Sequence, residues 1–305
     1  MAARLRGYLQ CFASGSTELQ GDNMSPIFDD SSNKDAKYEN FPVGSWLLSN
    51  KLRHHIICFY NFARYADNIA DNPILSPKEK LKLLDDFEDT LMGKGEGDPT
   101  FQKAIDMHES LKKSGISHKH CRDLLCAFKQ DAIKSRYDDW TDLVDYCALS
   151  AAPVGRYMLD LHGEHKLAYG KSDSLCLSLQ LINHLQDCGD DYQTLNRVYL
   201  PMNWVNEAGL DLIDLGSNQT TIALRRVIDW MLIGINGHLD NSRPLPINLQ
   251  SLRLSLETSI IYQIAQKLFQ KIKENDPLSK RIELSKSELA KCSFMGLASG
   301  LLNKW

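Results

Sequence analysis

Tyr60-Asn61-Phe62-Ala63-Arg64-Tyr65-Ala66-Asp67-Asn68-Ile69-Ala70-Asp71 is the stretch on which the fold turns. Tyr60, Arg64, Asp67 and Asp71 follow one another at steps of four, three and four residues. On an α-helix those steps stack the four side chains on one face, whereas a strand would scatter them over two. The face continues backward through Ile57, Ile56 and Arg53, so the polar group interrupts a largely apolar neighbourhood. Two carboxylates one turn apart share a hard cation through oxygen donors, the coordination that suits magnesium. Arg64, one turn before Asp67, either holds a carboxylate in place or grips phosphate oxygens. Alone, the segment also describes a solvated helix face carrying an Arg–Asp pair.

A second line of the same kind runs through Leu179–Tyr192, where Gln180, Asn183, Asp187 and Asp191 recur at three, four and four residues. Leu177, Leu181, Ile182 and Leu185 supply apolar packing around it. Buried Asn and Gln need hydrogen-bond partners, and water, a metal-bound carboxylate or substrate would supply them. Two such faces on separate long helices are far more specific than one. Brought together across a bundle core, they place four carboxylates around a central cavity. That arrangement is tolerable only with cations, and several magnesium ions plus a diphosphate balance the charge. A di-iron bundle fits less well, because it needs repeated Glu-x-x-His ligands that this chain lacks. His184 follows Asn183 and is expected to point away from the metal face. His54 and His55 point to different faces and form no ligand pair.

Working outward, the pattern is helical almost throughout from Val43, with Gly and Pro between long segments and no sustained alternation. Helices are predicted over 50–71, 77–91, 100–113, 117–134, 140–162, 175–191, 203–208, 218–239, 249–274 and 286–303. The joins are short, so the economical architecture is all-α: one helical bundle whose core provides a cavity. Residues 1–37 read as a polar, flexible N-terminal arm, and 38–305 as the helical domain. A net charge of -4 in 305 residues leaves no basic stripe for nucleic acid. The eight cysteines form no CxxC pair and read as small buried hydrophobes in a reducing compartment, the cytoplasm. No apolar run reaches the length of a membrane span, so contact with lipid is expected to be peripheral, at the inner face.

Between the two carboxylate lines, Tyr146-Cys147-Ala148-Leu149-Ser150-Ala151-Ala152-Pro153-Val154-Gly155 sets small residues, a Pro and a Gly inside a helical pattern. The lost hydrogen bond at Pro153 and the freedom of Gly155 cost helix stability. A kink opening room for a ligand and a kink allowing close helix packing account for that cost equally well.

With these residues in view, the chain resembles the squalene/phytoene synthase family. The motifs are YNFARYADNIAD (60–71), RYDDW (136–140), YCALSAAPVG (146–155), QLINHLQDCGDDY (180–192) and RVYLP (197–201). NFPVGSWLL (40–48) and GLASGLLNKW (296–305) look like the bacterial hydroxysqualene synthase branch of hopanoid biosynthesis. The resemblance implies a single-domain isoprenoid synthase bundle with a central active-site cavity. It implies magnesium-dependent conversion of presqualene diphosphate and water to hydroxysqualene, without NADPH. A family partner would make presqualene diphosphate and a flavin-dependent reductase would consume the product. It assigns metal binding to Asp67, Asp71, Asp187 and Asp191. Tyr60, Arg64, Asn183 and Tyr199 are implied as catalytic residues. Phe41, Arg64, Tyr146, Ala151, Gly155, Gln180, Asn183 and Arg197 are implied around the substrate. Alternative readings are a transferase condensing two farnesyl diphosphates, a phytoene synthase, or an inactive assembly or interaction protein. The chain departs from carotenoid-type relatives at Gln186, where they often carry Arg, and at Glu39–Pro42, where they often carry Ser and Lys. Loss of those contacts favours a substrate with one diphosphate.

Overall fold

The computed structural model describes residues 49–94 and 99–302. The expected arm, 1–37, and Phe41 lie outside the described residues. Local chemistry sets most helix ends. Helix α1, Asn50–Asp71, starts at Ser49, whose hydroxyl accepts from the Lys51 amide at 3.4 Å. It stops where Asn72 becomes extended (φ -60°, ψ 120°), as a residue before proline prefers. Helix α2, Pro77–Leu91, opens with proline in its first turn and a reciprocal cap between Ser76 and Glu79. Helix α3, Gln102–Ser114, ends at Gly115 in the left-handed region (φ 73°), where glycine carries no Cβ penalty.

The chain continues through α4, Lys119–Ile133, α5, Trp140–Ser150, and α6, Ala152–Leu161. Next come α7, Tyr169–Gln186, α8, Cys188–Leu195, and α9, Met202–Ala208. The last are α10, Ile222–Ser242, α11, Leu245–Asn248, α12, Leu252–Glu274, and α13, Lys286–Leu302. Two helices expected to be continuous are broken. The 140–162 segment divides at Ala151 (φ -124°, ψ -45°), and Pro153 sits in the first turn of α6, where its missing N–H costs nothing. The 175–191 segment divides at Asp187 (φ -107°, ψ 10°), and Leu278 packs into the joint beside Gly189. Asp187 therefore closes α7, and Asp191 lies in the first turn of α8.

Helix α1 packs on α2, α3 and α4, while α7 packs on α5, α6, α10 and α12; α4 joins the two groups through α5 and α6. Aromatic pairs fill the seams. Phe59 stacks on Tyr157 at 4.1 Å, Phe62 on Phe87 at 4.9 Å, and Trp140 on Trp204 at 5.4 Å. Each fully buried aromatic contributes about 1.5–3 kcal/mol of transfer free energy. Seven cysteines are described as free thiols; six are buried as expected, and Cys126 is exposed. No described helix is long and apolar enough to cross a membrane.

Candidate active site

The two carboxylates of α1 meet different surroundings. Asp67 is fully buried, neither of its oxygens has a hydrogen bond, and its ion pair is a distant one to Arg64 at 3.9 Å. Burial first, and the charge of Asp71 second, push its carboxyl up to about 7. Asp71, one turn on, receives the Arg197 guanidinium at 2.5 Å. That contact favours the carboxylate against the opposing effect of burial. Arg197 also donates to the Ala70 carbonyl at 3.1 Å, and Lys80 reaches the same oxygen at 2.9 Å.

Arg197 is aimed by two motif segments tied together. Asn196 ends α8 in the left-handed region (φ 49°), a conformation Asn tolerates better than most side chains. Arg136 donates to its carbonyl at 2.5 Å and its side-chain oxygen at 2.7 Å. The Val198 amide bonds Ser135 and the Met202 amide bonds Tyr137, each at 2.9 Å. The same clasp carries Tyr199 inward. Tyr199 and Tyr146 donate to the two oxygens of Asp131 at 2.7 and 2.8 Å, a buried triad roofed by Tyr137. Burial raises the Asp131 carboxyl, with Arg197 opposing.

Sequence reasoning gave Asp131 no role. Its signal was present, since Leu124, Phe128 and Asp131 share one buried stripe of α4. His184 corrects an expectation: it points inward, not away. It is fully buried, stacks on Tyr199 at 4.0 Å and meets the Gln180 amide nitrogen at 3.3 Å. Four residues separate Gln180 from His184, so the two share a face as closely as Gln180 and Asn183 do.

At the second line, Asp187 and Asp191 are buried and Asp190 is exposed, which distinguishes the adjacent carboxylates. Arg281 approaches Asp187 at 3.2 Å. Gln186 donates its amide to the Ile282 carbonyl, fixing the segment that delivers Arg281. A cation that Gln186 does not supply thus reaches Asp187 from another element. No motif marks Arg281, and only the folded chain brings it here. Arg197 links both lines: its amide bonds the Asp191 carbonyl at 3.1 Å while its guanidinium holds Asp71. Of the remaining expected residues, Tyr60 and Asn183 are half-buried, and Ala151 and Gly155 are buried at the α5–α6 joint.

The family model described as squalene/phytoene synthase matches residues 35–288. The chain belongs to this family. It is 41% identical over 273 residues to a hydroxysqualene synthase of Rhodopseudomonas palustris, covering 90% of this chain and 92% of that one. It is 40% identical over 251 residues to a hydroxysqualene synthase of Sinorhizobium fredii, covering 82% and 85%. Among solved structures, a squalene synthase from Alicyclobacillus acidocaldarius superposes with a TM-score of 0.66 at 27% identity, covering 78% of this chain and 89% of that one. A dehydrosqualene synthase superposes at 0.69 with 18% identity, covering 100% and 98%, which bears on the fold alone.

Membership of the squalene/phytoene synthase family implies magnesium-dependent catalysis, and the donor set fits that ion. Among the described residues no three His, Cys, Asp or Glu side chains form a ready-made metal cage. Magnesium does not need one, because it commonly takes one or two carboxylates and completes its shell with water and substrate phosphates. A buried carboxylate without hydrogen-bond donors, as at Asp67, is a group whose ionised form a divalent ion would stabilise.

Proposed function

We propose that the chain converts presqualene diphosphate and water to hydroxysqualene with release of diphosphate, using magnesium and no NADPH. The observation that carries the chemistry is Asp67, a buried carboxylate with no hydrogen bond, set in a site whose two aspartate lines are joined by Arg197. The substrate assignment draws on the two hydroxysqualene synthases that align along most of the chain. In this reading Asp67, Asp71, Asp187 and Asp191 hold magnesium, which when bound supplies Lewis acidity to the departing diphosphate. Arg64, Arg197 and Arg281 grip the phosphate oxygens, exchanging the carboxylate contacts they make now for charge-assisted bonds to substrate.

Tyr199 and Tyr146 keep fixed orientations because both hydroxyls are committed to Asp131. Their ring faces, with that of Tyr60, stabilise the cyclopropylcarbinyl cation left by ionisation and the cations it rearranges to, each contact being worth about 0.5–2 kcal/mol. Ala151 and Gly155 leave room for the prenyl chains, and Gln180 and Asn183 supply polar atoms beside the reacting end. Phe41 is assigned to the substrate on resemblance alone. The substrate would come from a synthase that joins two farnesyl diphosphates, and the product would pass to a flavin-dependent reductase. Free thiols throughout the described chain favour the cytoplasm.

The deciding experiment offers the purified protein presqualene diphosphate or farnesyl diphosphate, each with magnesium and without NADPH. Hydroxysqualene from the first alone supports the reading. Presqualene diphosphate from the second would make this the condensing enzyme, and phytoene from geranylgeranyl diphosphate would make it a carotenoid-branch enzyme. No magnesium-dependent binding of any diphosphate would leave an interaction protein.

A further inference from the structure

One end of the bundle carries an apolar surface that the active site does not use. Helix α13 buries Leu289, Cys292, Ser293, Gly296 and Gly300, a regular inward stripe, against α12. Its C-terminal half is also apolar on the outside: Phe294 is 73% exposed, Leu302 79%, and Met295 and Leu301 lie beside them. No charged residue falls between Lys291 and Leu302. An outward apolar stripe on a surface helix loses hydration free energy unless something covers it.

Contacts fix where this stripe lies. Gly296 sits against Ile260 and Gly300 against Leu256 and Ser259, so α13 runs antiparallel to α12 and its end reaches the start of α12. There, Ile247 of α11 and Leu252 of α12 are exposed as well. Glu164, in the turn before α7, accepts from the Gln250 and Ser251 amides at 2.8 and 2.7 Å. The patch therefore belongs to the N-terminal end of α7, whereas Asp187 closes its C-terminal end. An 18-residue helix separates the two, a rise of roughly 27 Å.

The polar groups at this end are suited to phosphate. A groove of about 430 Å³ opens beside the stripe, lined by Arg243, Ile247, Ser255, Ser259, Tyr262 and Gln266 among others. Arg243 and Arg253 are exposed, and the turn before α7 adds exposed Lys166 next to exposed Leu167. Asp240, exposed nearby, accepts from Asn236.

We propose that this end is a membrane-docking surface for a bilayer rich in anionic phospholipid. Phe294, Leu301 and Leu302, toward the C-terminal end of α13, enter the acyl boundary, and Arg243 and Arg253 meet headgroup phosphates, the groove receiving one headgroup. An apolar face flanked by Lys and Arg is the pattern of interfacial helices. The orientation is electrostatically consistent, since it turns the acidic site away from a negatively charged surface. A second copy of the chain docked by two-fold symmetry would instead bring the same arginines toward each other. The proposal deepens the reading above, in which the product is an oil that must leave for lipid. Its test uses no substrate, so the two readings fail separately.

Flotation of the purified full chain with phosphatidylglycerol-containing vesicles, against pure phosphatidylcholine vesicles, measures the partition. Binding to the anionic vesicles is expected, weakened by salt. Phe294→Ser with Leu302→Ser should lower it at least ten-fold. Arg243→Gln with Arg253→Gln should lower it roughly twenty-five-fold, at about five-fold per cation near an anionic surface. Ile74→Ser, at an exposed apolar residue three positions past Asp71, should leave it unchanged. The proposal is overturned if the wild-type chain does not float, if it floats equally with uncharged vesicles, or if Ile74→Ser costs as much as the α13 pair. It is also overturned if Leu302→Ser turns a dimer into a monomer without changing flotation.

Discussion

Two carboxyls carry the most unusual electrostatics of single residues, and they differ in what would relieve them. Asp67 lies in the site proposed to hold magnesium. Asp67→Asn should therefore leave the metal-free fold at least as stable by thermal melting while turnover falls by about a hundred-fold or more. Retained turnover at limiting magnesium would remove Asp67 from the metal set. Glu257 has no such outlet. It is buried on α12, neither oxygen has a hydrogen bond, and burial alone raises its carboxyl well above the usual range. Between its unfolded value and that raised value, the native state keeps a proton that the unfolded state releases. Its contribution to stability is thus largest in acid and lost as pH rises. Glu257→Met should flatten the decline in stability between about pH 5 and pH 8, and raise stability at the upper end by about 1–3 kcal/mol. Parallel denaturant titrations of both proteins would check this, and identical slopes with pH would show that Glu257 finds a partner in solution.

Among the elements, those with local causes were legible and those with tertiary causes were not. The bounds of α1 and α2 follow from Ser49, the Asn72–Pro73 pair and the Ser76–Glu79 cap, all interactions within a few residues. The break at Ala151 was marked by Pro153. The break at Asp187 was not, because it is stabilised by Leu278 and the Ile282 carbonyl, about 90 residues downstream. The α12–α13 seam is likewise set by distant packing. A methyl group at Gly296 would stand 2.5 Å from Ile260 Cα and 2.7 Å from its amide nitrogen, neither of which yields cheaply. Gly296→Ala should therefore cost about 1–3 kcal/mol through overpacking. Limited proteolysis should then release α13 first, whereas an unchanged melting temperature would mean that the seam adjusts.

Across the whole molecule, Arg197 ties the two aspartate lines together, its guanidinium on Asp71 and its amide on the Asp191 carbonyl, and Arg281 adds a cation at Asp187. Magnesium and inorganic pyrophosphate together should therefore stabilise the protein by more than the sum of their separate effects, the joint effect reaching about 2.7 kcal/mol in total at a hundred times the dissociation constant. Thermal melts with each component and with both would measure this; equal shifts from pyrophosphate alone would contradict shared coordination. By itself the sequence determined the all-helical class, the two carboxylate faces and the family, because helical period and motif order are properties of the chain taken in succession. Only the tertiary structure decided that His184 turns inward, that Asp131 anchors Tyr146 and Tyr199, and that Arg281 stands where Gln186 supplies no charge. Those outcomes depend on which residues burial brings within hydrogen-bond reach, and a contact across many tens of residues leaves no periodic trace along the chain.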